Sequence, residues 1–280
     1  MRQILLNGST LKYGIIGNPV SHSFSPSMHS SAFAEIGYNA IYLPFLVEPD
    51  QLASLLPAFV LTGVRGLNVT VPYKEKIIPF LDILSDEAKA LGSVNTLWYD
   101  RGRWHGHSTD GAGLVRGLTQ KGWEIKNQRI LVLGAGGSAK AITYALLKAG
   151  ATKVDIDNRT IEKAESLAKS LARSFDPQLI GVGRSGNYDI LINCTSVGLK
   201  GNQTPLAKEE LEKFDKVVDI IYNPAKTKLL QDAESLGIPA ENGLSMLLYQ
   251  GVESFELWTG QPAPVDVMAQ VLQQQLQSPT

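Results

Sequence analysis

A glycine-rich segment between an apolar strand and a helix constrains the fold of this chain more than any other feature. The apolar run Arg129–Gly134 predicts a buried strand, and Ser138–Ala149 has the apolar spacing of a helix. Between them, Gly134, Gly136 and Ala139 form a Gly-x-Gly-x-x-Ala turn. These small residues permit a tight bend, close approach of a diphosphate and close packing of helix on strand. The segment therefore predicts a dinucleotide-binding turn; a plain strand-to-helix turn of small residues is the alternative.

Short β-branched runs alternate with longer stretches of helical period along the chain. The other predicted strands are Lys12–Gly17, Ala40–Val47, Gly66–Val71, Lys153–Asn158, Asp189–Cys194 and Lys216–Ile221. The other predicted helices are Ser27–Ile36, Asp50–Leu61, Gly111–Lys121 and Thr160–Ser174, with two apolar stripes, Leu244–Phe255 and Val265–Leu276, near the C-terminus. Continuous apolar runs separated by helices are typical of buried parallel strands, so the pattern predicts an α/β fold.

The length of 280 residues favours about two domains. A stretch rich in Gly and polar residues, Tyr99–Gly113, separates the first series of strands and helices from the series that starts at Arg129. We therefore place the first domain boundary near Gly106.

Charge and cysteine content exclude several classes of protein. The 26 basic and 27 acidic residues give a net charge of -1, which disfavours a nucleic-acid partner or a basic membrane-surface helix. No run of about 18 apolar residues predicts a transmembrane helix, and no signal-peptide core is visible. The single cysteine, Cys194, excludes an intramolecular disulfide and a multi-cysteine metal site. These features predict a soluble, cytoplasmic protein without a metal centre, and Cys194 is expected to be an inert buried thiol.

The residues at the end of the predicted strand Lys153–Asn158, the next strand after the glycine turn, give conflicting indications about the cofactor. Asp157 is an acidic residue about 20 positions after the glycines, where a carboxylate normally binds the ribose 2′-hydroxyl of NAD. Arg159 is the residue type that holds a 2′-phosphate, and Lys163 lies one helical turn further on. The two basic residues favour NADP, and NAD remains an alternative.

Three polar segments in the first domain contain candidate site residues. Ser23 and Ser25 stand two apart before Pro26, where they could cap a helix or hold a carboxylate. Lys74 follows a strand, at the kind of position where ligands bind in parallel sheets. A lysine and an aspartate such as Asp110 can together transfer and orient a proton, although sequence order alone does not place them side by side.

Over nearly its full length the chain resembles the shikimate dehydrogenase family. The resemblance is carried, in order, by SHSFSPSMH, GLNVTVPYKE, LGSVNTL, HSTDGAG, VLGAGGSAKA, NRTIEKAESLA, INCTSVGL, VDIIYNPAKTKLL and ENGLSMLLYQGVESFELWTG. It implies NADP-dependent interconversion of 3-dehydroshikimate and shikimate in aromatic amino-acid biosynthesis. It also implies two α/β domains that face a cleft: a substrate domain of residues 1–106, completed by the helices of residues 244–280, and a Rossmann-type doubly wound parallel domain of residues 107–243.

The resemblance also implies roles for individual residues. Lys74 and Asp110 match the catalytic pair. The positions that match substrate contacts are Ser23, Ser25, Asn68, Thr70, Asn95, Tyr222 and Gln250. The positions that match cofactor contacts are Gly134, Ala135, Gly136, Gly137, Ser138, Asn158, Arg159, Thr160, Lys163, Ile220 and Gly243, with Asp86, Thr195 and Ser196 as weaker candidates. Where the family usually has Asn-Thr-Asp, this chain has Ser108-Thr109-Asp110.

Two other functions fit parts of the same pattern. A quinate/shikimate dehydrogenase of broader specificity that uses NAD is favoured by Asp157. A non-catalytic sensor on the same scaffold would bind dinucleotide or shikimate, but it would have no need of Lys74 and Asp110. The family includes monomers and dimers, so the resemblance leaves both a monomer and a homodimer open.

Overall fold

The structure is a computed structural model and describes residues 6–277 of the chain. These residues form twelve β-strands and nine α-helices. The chain begins with β1 (Leu11–Gly17), α1 (Ser25–Glu35), β2 (Ala40–Leu46), α2 (Leu52–Leu61), β3 (Val64–Val69), β4 (Ile83–Leu84), α3 (Asp86–Leu91), β5 (Thr96–Asp100) and β6 (Arg103–His107). It continues with α4 (Asp110–Gln120), β7 (Arg129–Leu133), α5 (Gly137–Lys148), β8 (Lys153–Asp157), α6 (Ile161–Leu171), β9 (Ile180–Val182), β10 (Tyr188–Asn193), β11 (Phe214–Asp219), α7 (Lys228–Ser235) and β12 (Ala240–Asn242). The helices α8 (Leu244–Thr259) and α9 (Val265–Gln277) follow.

The strands form two six-stranded sheets, one in each of two units. The first unit comprises the residues up to Thr109 and those from Gln250 onward, and the second comprises Asp110–Tyr249. The division at Gln250 falls inside α8. Because both units combine one sheet with helices, the predicted α/β class is confirmed.

The first sheet is mixed, with the strand order β2-β1-β3-β5-β6-β4. The strands β1, β2 and β3 are parallel to one another, whereas β5 is antiparallel to both β3 and β6. The stretch between Tyr99 and Gly113, where the sequence predicted a break, contains the division between the two units, after Thr109. The hairpin of β5 and β6 overlaps the same stretch. Its two-residue turn is Arg101-Gly102, with φ angles of 47° and 81°. Positive φ at both turn positions matches the right-handed twist of the strands.

Aromatic side chains and the second half of α8 fill one side of the first sheet. Phe33 and Phe255 are completely buried, and their ring centroids lie 5.2 Å apart. The indole of Trp258 occupies the space above Gly66, and its Nε1 donates a hydrogen bond to the carbonyl of Leu97 at 2.9 Å. A Cβ at residue 66 would lie 2.6 Å from that indole, so this packing requires glycine.

The second sheet is parallel throughout the described strands, in the order β12-β11-β10-β7-β8-β9. The chain starts at β7, moves outward to β8 and β9, and then returns to the other side of β7 for β10, β11 and β12. This is the order of a doubly wound sheet, whose switch point lies between β7 and β10. The Rossmann-type prediction for this part of the chain is therefore confirmed.

Both faces of the second sheet are covered by apolar side chains, which alternate along each strand. On one face, Ile130, Val132 and Val154 pack with Ile142 and Leu146 of α5. On the opposite face the cluster contains Leu131, Leu191, Val217, Leu229 and Leu230. Burial on both faces explains why these strands are continuous apolar runs in the sequence.

The elements predicted from periodicity are present, with each end within four residues of the prediction. The elements that periodicity missed are β4, β5, β6, β9, β12, α3 and α7. Most of these are short, and β5 and β6 carry polar and charged side chains on their exposed positions. Helices α8 and α9 lie where the two C-terminal apolar stripes predicted them.

A fully buried histidine, His29, lies on α1 in the aromatic core of the first unit. Its ring stacks on Tyr42 with the centroids 4.6 Å apart, and neither ring nitrogen has a hydrogen-bond partner among the described residues. Burial lowers the pKa of His29 to about 3, because the imidazolium would lose its hydration without gaining an acceptor. His29 therefore stays neutral in the folded protein at pH values where the unfolded chain binds a proton.

Replacing His29 by Phe is expected to reduce the loss of stability in mild acid. Between about pH 7.5 and about pH 5.5, unfolded histidine protonates and folded His29 does not, which should cost the wild-type protein about 1.4 kcal/mol. His29→Phe should remove this cost without breaking a hydrogen bond, as denaturant unfolding at the two pH values would measure. His22→Phe, at an exposed position, is the control and should keep the wild-type pH dependence. Equal pH dependence in the wild type and His29→Phe would contradict the prediction.

Candidate active site

The topology of the first sheet brings predicted substrate residues to one edge. Thr70 directly follows β3, and the turn after it carries Lys74. The loop between β1 and α1, which contains the two predicted serines, leaves the sheet at the same edge because β1 and β3 are parallel. Since β5 is antiparallel to β3, its first residue also lies there, and the amide of Val69 donates to the carbonyl of Asn95 at 2.8 Å.

The side chain of Asn95 is the centre of a buried hydrogen-bond network at this edge. Its Oδ1 accepts from the amide of Thr109 at 2.8 Å, and its Nδ2 donates to Thr109 Oγ1 at 2.9 Å. The same Nδ2 lies 3.3 Å from Gln250 Oε1. All three side chains are buried. Because Thr109 directly precedes Asp110, these bonds fix the backbone from which Asp110 starts.

Asn68 belongs to the same network. The hydroxyl of Tyr42 donates to Asn68 Oδ1 at 2.7 Å, and Asn68 Nδ2 donates to Ser254 Oγ at 3.0 Å. Burial raises the pKa of Tyr42 well above its ordinary value, while a hydrogen bond with Ser25 acts in the opposite direction. Tyr42 is therefore a protonated donor at neutral pH. Sequence reasoning missed Tyr42 and Ser254, because no local spacing relates either residue to Asn68.

The two serines differ in their surroundings. Ser25 is the first residue of α1 and is buried, whereas Ser23 is partly exposed. The N-cap position is occupied by Phe24, which gives no side-chain cap, and Ser23 Oγ accepts from the amide of Ser25 at 3.3 Å. Neither serine is the N-cap residue of α1, so the predicted capping by a serine was wrong, although Ser23 accepts from the amide of the first helical residue. The carboxylate-binding role of the pair remains a prediction.

The predicted catalytic residues lie on well-fixed backbone. The carbonyl of Lys74 accepts from the amide of Val94 at 2.9 Å, so Lys74 stands beside the segment that leads into Asn95. The preceding residue, Tyr73, is completely buried. Asp110 is buried and is the first residue of α4, where the positive end of the helix dipole stabilises a carboxylate.

In the second unit, the glycine turn has the conformation and the free space that a diphosphate requires. Gly134 has a φ of 108°, which L side chains rarely adopt, and a Cβ there would lie 3.2 Å from the carbonyl of Cys194. In contrast, no atom lies within 4 Å of a Cβ built on Gly136 or Gly137. Helix α5 starts at Gly137 and receives no side-chain cap from Gly136. The open turn therefore leaves the first amides of α5 free for an anion.

The segment after β8 carries exposed positive charge. Asn158 Nδ2 donates to the carbonyl of Thr160 at 2.8 Å, which shapes the turn into α6. Arg159 and Lys163 are exposed and make no ion pair with the described residues. Their chemistry fits a phosphate ligand next to the glycine turn.

The loop after β10 is fixed by a buried polar cluster. The amide and the hydroxyl of Thr195 both donate to Asn193 Oδ1, at 3.0 and 2.7 Å. Asn193 Nδ2 in turn donates to Asp219 Oδ1 at 3.1 Å, and Asp219 Oδ2 accepts from the hydroxyl of Thr227. Burial raises the pKa of Asp219, although these hydrogen bonds oppose the shift. Ser196 follows this fixed segment and is exposed.

The remaining residues singled out from the sequence differ in burial and in the unit to which they belong. A Cβ on Gly243 would collide with the backbone of Ile220, so glycine is required there. Tyr222 is partly buried, and burial raises its pKa. Cys194 is partly and not fully buried, and this burial raises the pKa of its thiol, which agrees with an inert cysteine. Asp86 belongs to the first unit, where it is exposed and pairs with Lys89 at 3.2 Å.

A glycine turn that leads into a helix at the switch point of a doubly wound sheet defines the second unit as a Rossmann-type dinucleotide-binding unit. Family models agree. Residues 15–97 match the shikimate dehydrogenase substrate binding domain, residues 117–219 match shikimate / quinate 5-dehydrogenase, and residues 243–273 match the shikimate 5′-dehydrogenase C-terminal domain.

Individual proteins are similar over nearly the whole chain. A shikimate dehydrogenase (NADP(+)) of Thermococcus kodakarensis is 44% identical over 260 residues, which cover 91% of this chain and 93% of that protein. A crystal structure of a shikimate dehydrogenase in complex with NADP+ has a TM-score of 0.92 at 35% identity, covering 98% of each chain. The shikimate 5-dehydrogenase of Listeria monocytogenes, in complex with shikimate and NAD, has a TM-score of 0.87 at 34% identity, covering 95% and 98% of the two chains. This chain belongs to the shikimate dehydrogenase family.

Within residues 6–277, no helix is long and apolar enough to cross a membrane. The same residues contain no group of three or more His, Cys, Asp or Glu side chains that could hold a metal ion.

Two glycine substitutions should separate folding from cofactor binding. Gly136→Ala places a methyl group in open space at an extended φ of -87°, so we expect the melting temperature to stay the same while NADP+ affinity falls about tenfold or more. Gly134→Ala forces a side chain into a positive-φ position, which should destabilise the protein by about 1–3 kcal/mol. Thermal unfolding and calorimetric titration with NADP+ would measure both effects. Unchanged NADP+ affinity in stable Gly136→Ala would show that this turn does not hold the diphosphate.

Proposed function

We propose that this protein is an NADP-dependent shikimate dehydrogenase, which interconverts 3-dehydroshikimate and shikimate in aromatic amino-acid biosynthesis. One observation carries the proposal. At one edge of the first sheet, hydroxyl and amide side chains lie close to the backbone of Lys74 and to the segment that leads into Asp110. Membership of the family and the dinucleotide-binding turn of the second unit support it.

The polar edge suits a small polyhydroxylated acid. Ser23 and Ser25 supply hydroxyl donors for the substrate carboxylate. Hydroxyls of the ring are the partners proposed for Asn68, Thr70, Asn95 and Gln250, with Tyr222 as a further contact. A site that hydrogen-bonds each hydroxyl discriminates against analogues that lack one, because its own buried polar groups would stay unpaired. The fixed network around Asn95 keeps these groups in place before the substrate arrives.

Proton transfer is assigned to Lys74 and Asp110. In the direction of reduction, the Lys74 ammonium donates a proton to the carbonyl oxygen as that oxygen becomes an alkoxide. The Asp110 carboxylate accepts a hydrogen bond from the neighbouring hydroxyl and keeps Lys74 aligned. The positive charge of the ammonium also stabilises the negative charge that develops on the oxygen.

All but one of the residues proposed for the cofactor lie in the second unit, and the exception is Asp86. The amides of Gly134–Ser138 are proposed for the diphosphate, and Asn158, Arg159, Thr160 and Lys163 for the 2′-phosphate end. Thr195, Ser196, Ile220 and Gly243 are proposed to contact the rest of the cofactor, with Asp86 as a weaker candidate. NADP, when bound, supplies or accepts the hydride. The second candidate is a quinate/shikimate dehydrogenase that uses NAD, which is favoured by the acidic Asp157 at the end of β8.

Spectrophotometry of the purified protein tests the reaction. With shikimate and NADP+, the absorbance of reduced nicotinamide should increase with time. Catalytic efficiencies with shikimate and quinate, each with NADP+ and NAD+, separate the two dehydrogenases. Folded protein that binds NADP+ and produces no reduced nicotinamide with either substrate would refute both and favour a sensor.

Lys74→Ala should lower the turnover number by about 10²- to 10⁴-fold, the range expected when a general acid or base is removed. NADP+ affinity should stay unchanged, because Lys74 is not among the residues proposed to contact the cofactor. Lys76→Ala, at an exposed position of the same turn, is the matched control and should have wild-type turnover. Steady-state kinetics would measure both variants. Turnover of Lys74→Ala within twofold of the wild type would remove Lys74 from the mechanism.

The proposal also includes the cellular location of the protein and its oligomeric state. A cytoplasmic location agrees with a chain that contains one cysteine and therefore has no intramolecular disulfide. The protein is proposed to act as a monomer or a homodimer, and light scattering of the purified protein would distinguish these states.

A further inference from the structure

Asp157 lies at the position where an acidic residue usually selects NAD. It is the last residue of β8, and its carbonyl accepts from the amide of Gly134 at 2.7 Å, so it lies directly beside the glycine turn. A free carboxylate here would accept the ribose 2′-hydroxyl of NAD and repel the 2′-phosphate of NADP. The proposed use of NADP therefore requires something that offsets the charge of Asp157.

The side chain of Arg184 pairs with Asp157. Its Nε lies 2.6 Å from Asp157 Oδ2, and its Nη1 lies 2.9 Å from Glu210 Oε1. Glu210 is itself held in place, because its Oε2 accepts from the amide of Ala207 at 3.1 Å. The guanidinium of Arg184 is thus held on two sides. The side chain of Asp157 is 22% exposed, which is less than the side chains of Arg184 at 42% and Glu210 at 39%.

The loop that carries Arg184 is firmly attached to the sheet. The amide of Gly183, with a φ of 82°, donates to the carbonyl of Ile156 at 2.9 Å. On the other side of Arg184, the amide of Ser185 donates to the hydroxyl of Tyr188 at 2.7 Å. That hydroxyl donates to the buried carboxylate of Asp155 at 2.8 Å. Anchors on both sides of Arg184 lower the entropy cost of holding its side chain against Asp157.

We propose that Arg184 determines the cofactor specificity of this enzyme by pairing with Asp157. The pairing occupies the carboxylate that would accept a 2′-hydroxyl and offsets its negative charge, so that Arg159 and Lys163 attract a 2′-phosphate. Arg184 acts through Asp157 and is a positioning residue. The proposal deepens the NADP-linked activity proposed above and rests on it.

Calorimetric titration of the full-length protein with adenosine 2′,5′-bisphosphate and with 5′-AMP tests this without any turnover. Arg184→Gln should weaken the bisphosphate about tenfold relative to 5′-AMP, because it leaves Asp157 uncompensated. Adding Asp157→Asn to Arg184→Gln should restore the wild-type ratio of the two affinities. Arg173→Gln, at an exposed position beyond α6, is the matched control and should leave the ratio unchanged.

Two results would overturn the proposal. An unchanged ratio in Arg184→Gln, including equal weakening of both ligands, would make the Arg184 pairing merely structural. Failure of Asp157→Asn to restore the ratio would show that Arg184 does not act through Asp157 and holds the 2′-phosphate itself. Thermal unfolding confirms that each variant is folded. If the ratio shifts as expected but the wild-type protein does not oxidise shikimate, the proposed reaction fails and the assignment of Arg184 stands.

Discussion

The carboxamide of Asn95 joins three segments of the first unit that are distant in the sequence. Both its oxygen and its nitrogen bond to Thr109, and its nitrogen also reaches Gln250 of α8. Because these groups are buried, an unpaired one would cost about 1–3 kcal/mol, so each depends on the others. The backbone of the same segment is bonded to Val69 at the end of β3 and to Lys74 after it. Asn68, Asn95 and Gln250, three of the residues proposed to meet the substrate, therefore belong to one hydrogen-bonded network and not to independent loops.

The second unit is organised by close approaches of backbone to backbone. Gly134 lies against the backbone of Cys194 at the end of β10, and Gly243 lies against the backbone of Ile220 at the end of β11. At either position a Cβ would come too close to that backbone. These close contacts keep the ends of neighbouring strands near each other, and the backbone amides at the start of α5 lie beside them. A row of amides at a helix start binds a diphosphate without desolvating a charged side chain. The first unit, in contrast, presents side-chain hydroxyls and amides, which suit a small polyhydroxylated acid.

Sequence periodicity predicted those parts of the fold that are buried on both sides. Strands such as β7 and β10 are continuous apolar runs, and the glycine turn is a local pattern that needs no knowledge of distant residues. The hairpin of β5 and β6 was missed because polar and aromatic side chains share its strands, and its turn signal, Arg101-Gly102, lies in a segment that resembles a linker. The contact between Asn68 and Ser254 joins residues 186 positions apart, and no local spacing predicts such a pair.

Arg184 illustrates the same limit for the candidate site. It belongs to no motif, and the sequence showed only an acidic residue, Asp157, in conflict with Arg159 and Lys163. The conflict disappears once the pairing with Arg184 is known, because the local charge is set by three basic and two acidic side chains, namely Arg159, Lys163, Arg184, Asp157 and Glu210. A chain with a net charge of -1 can therefore carry an excess of positive charge where a phosphate would bind.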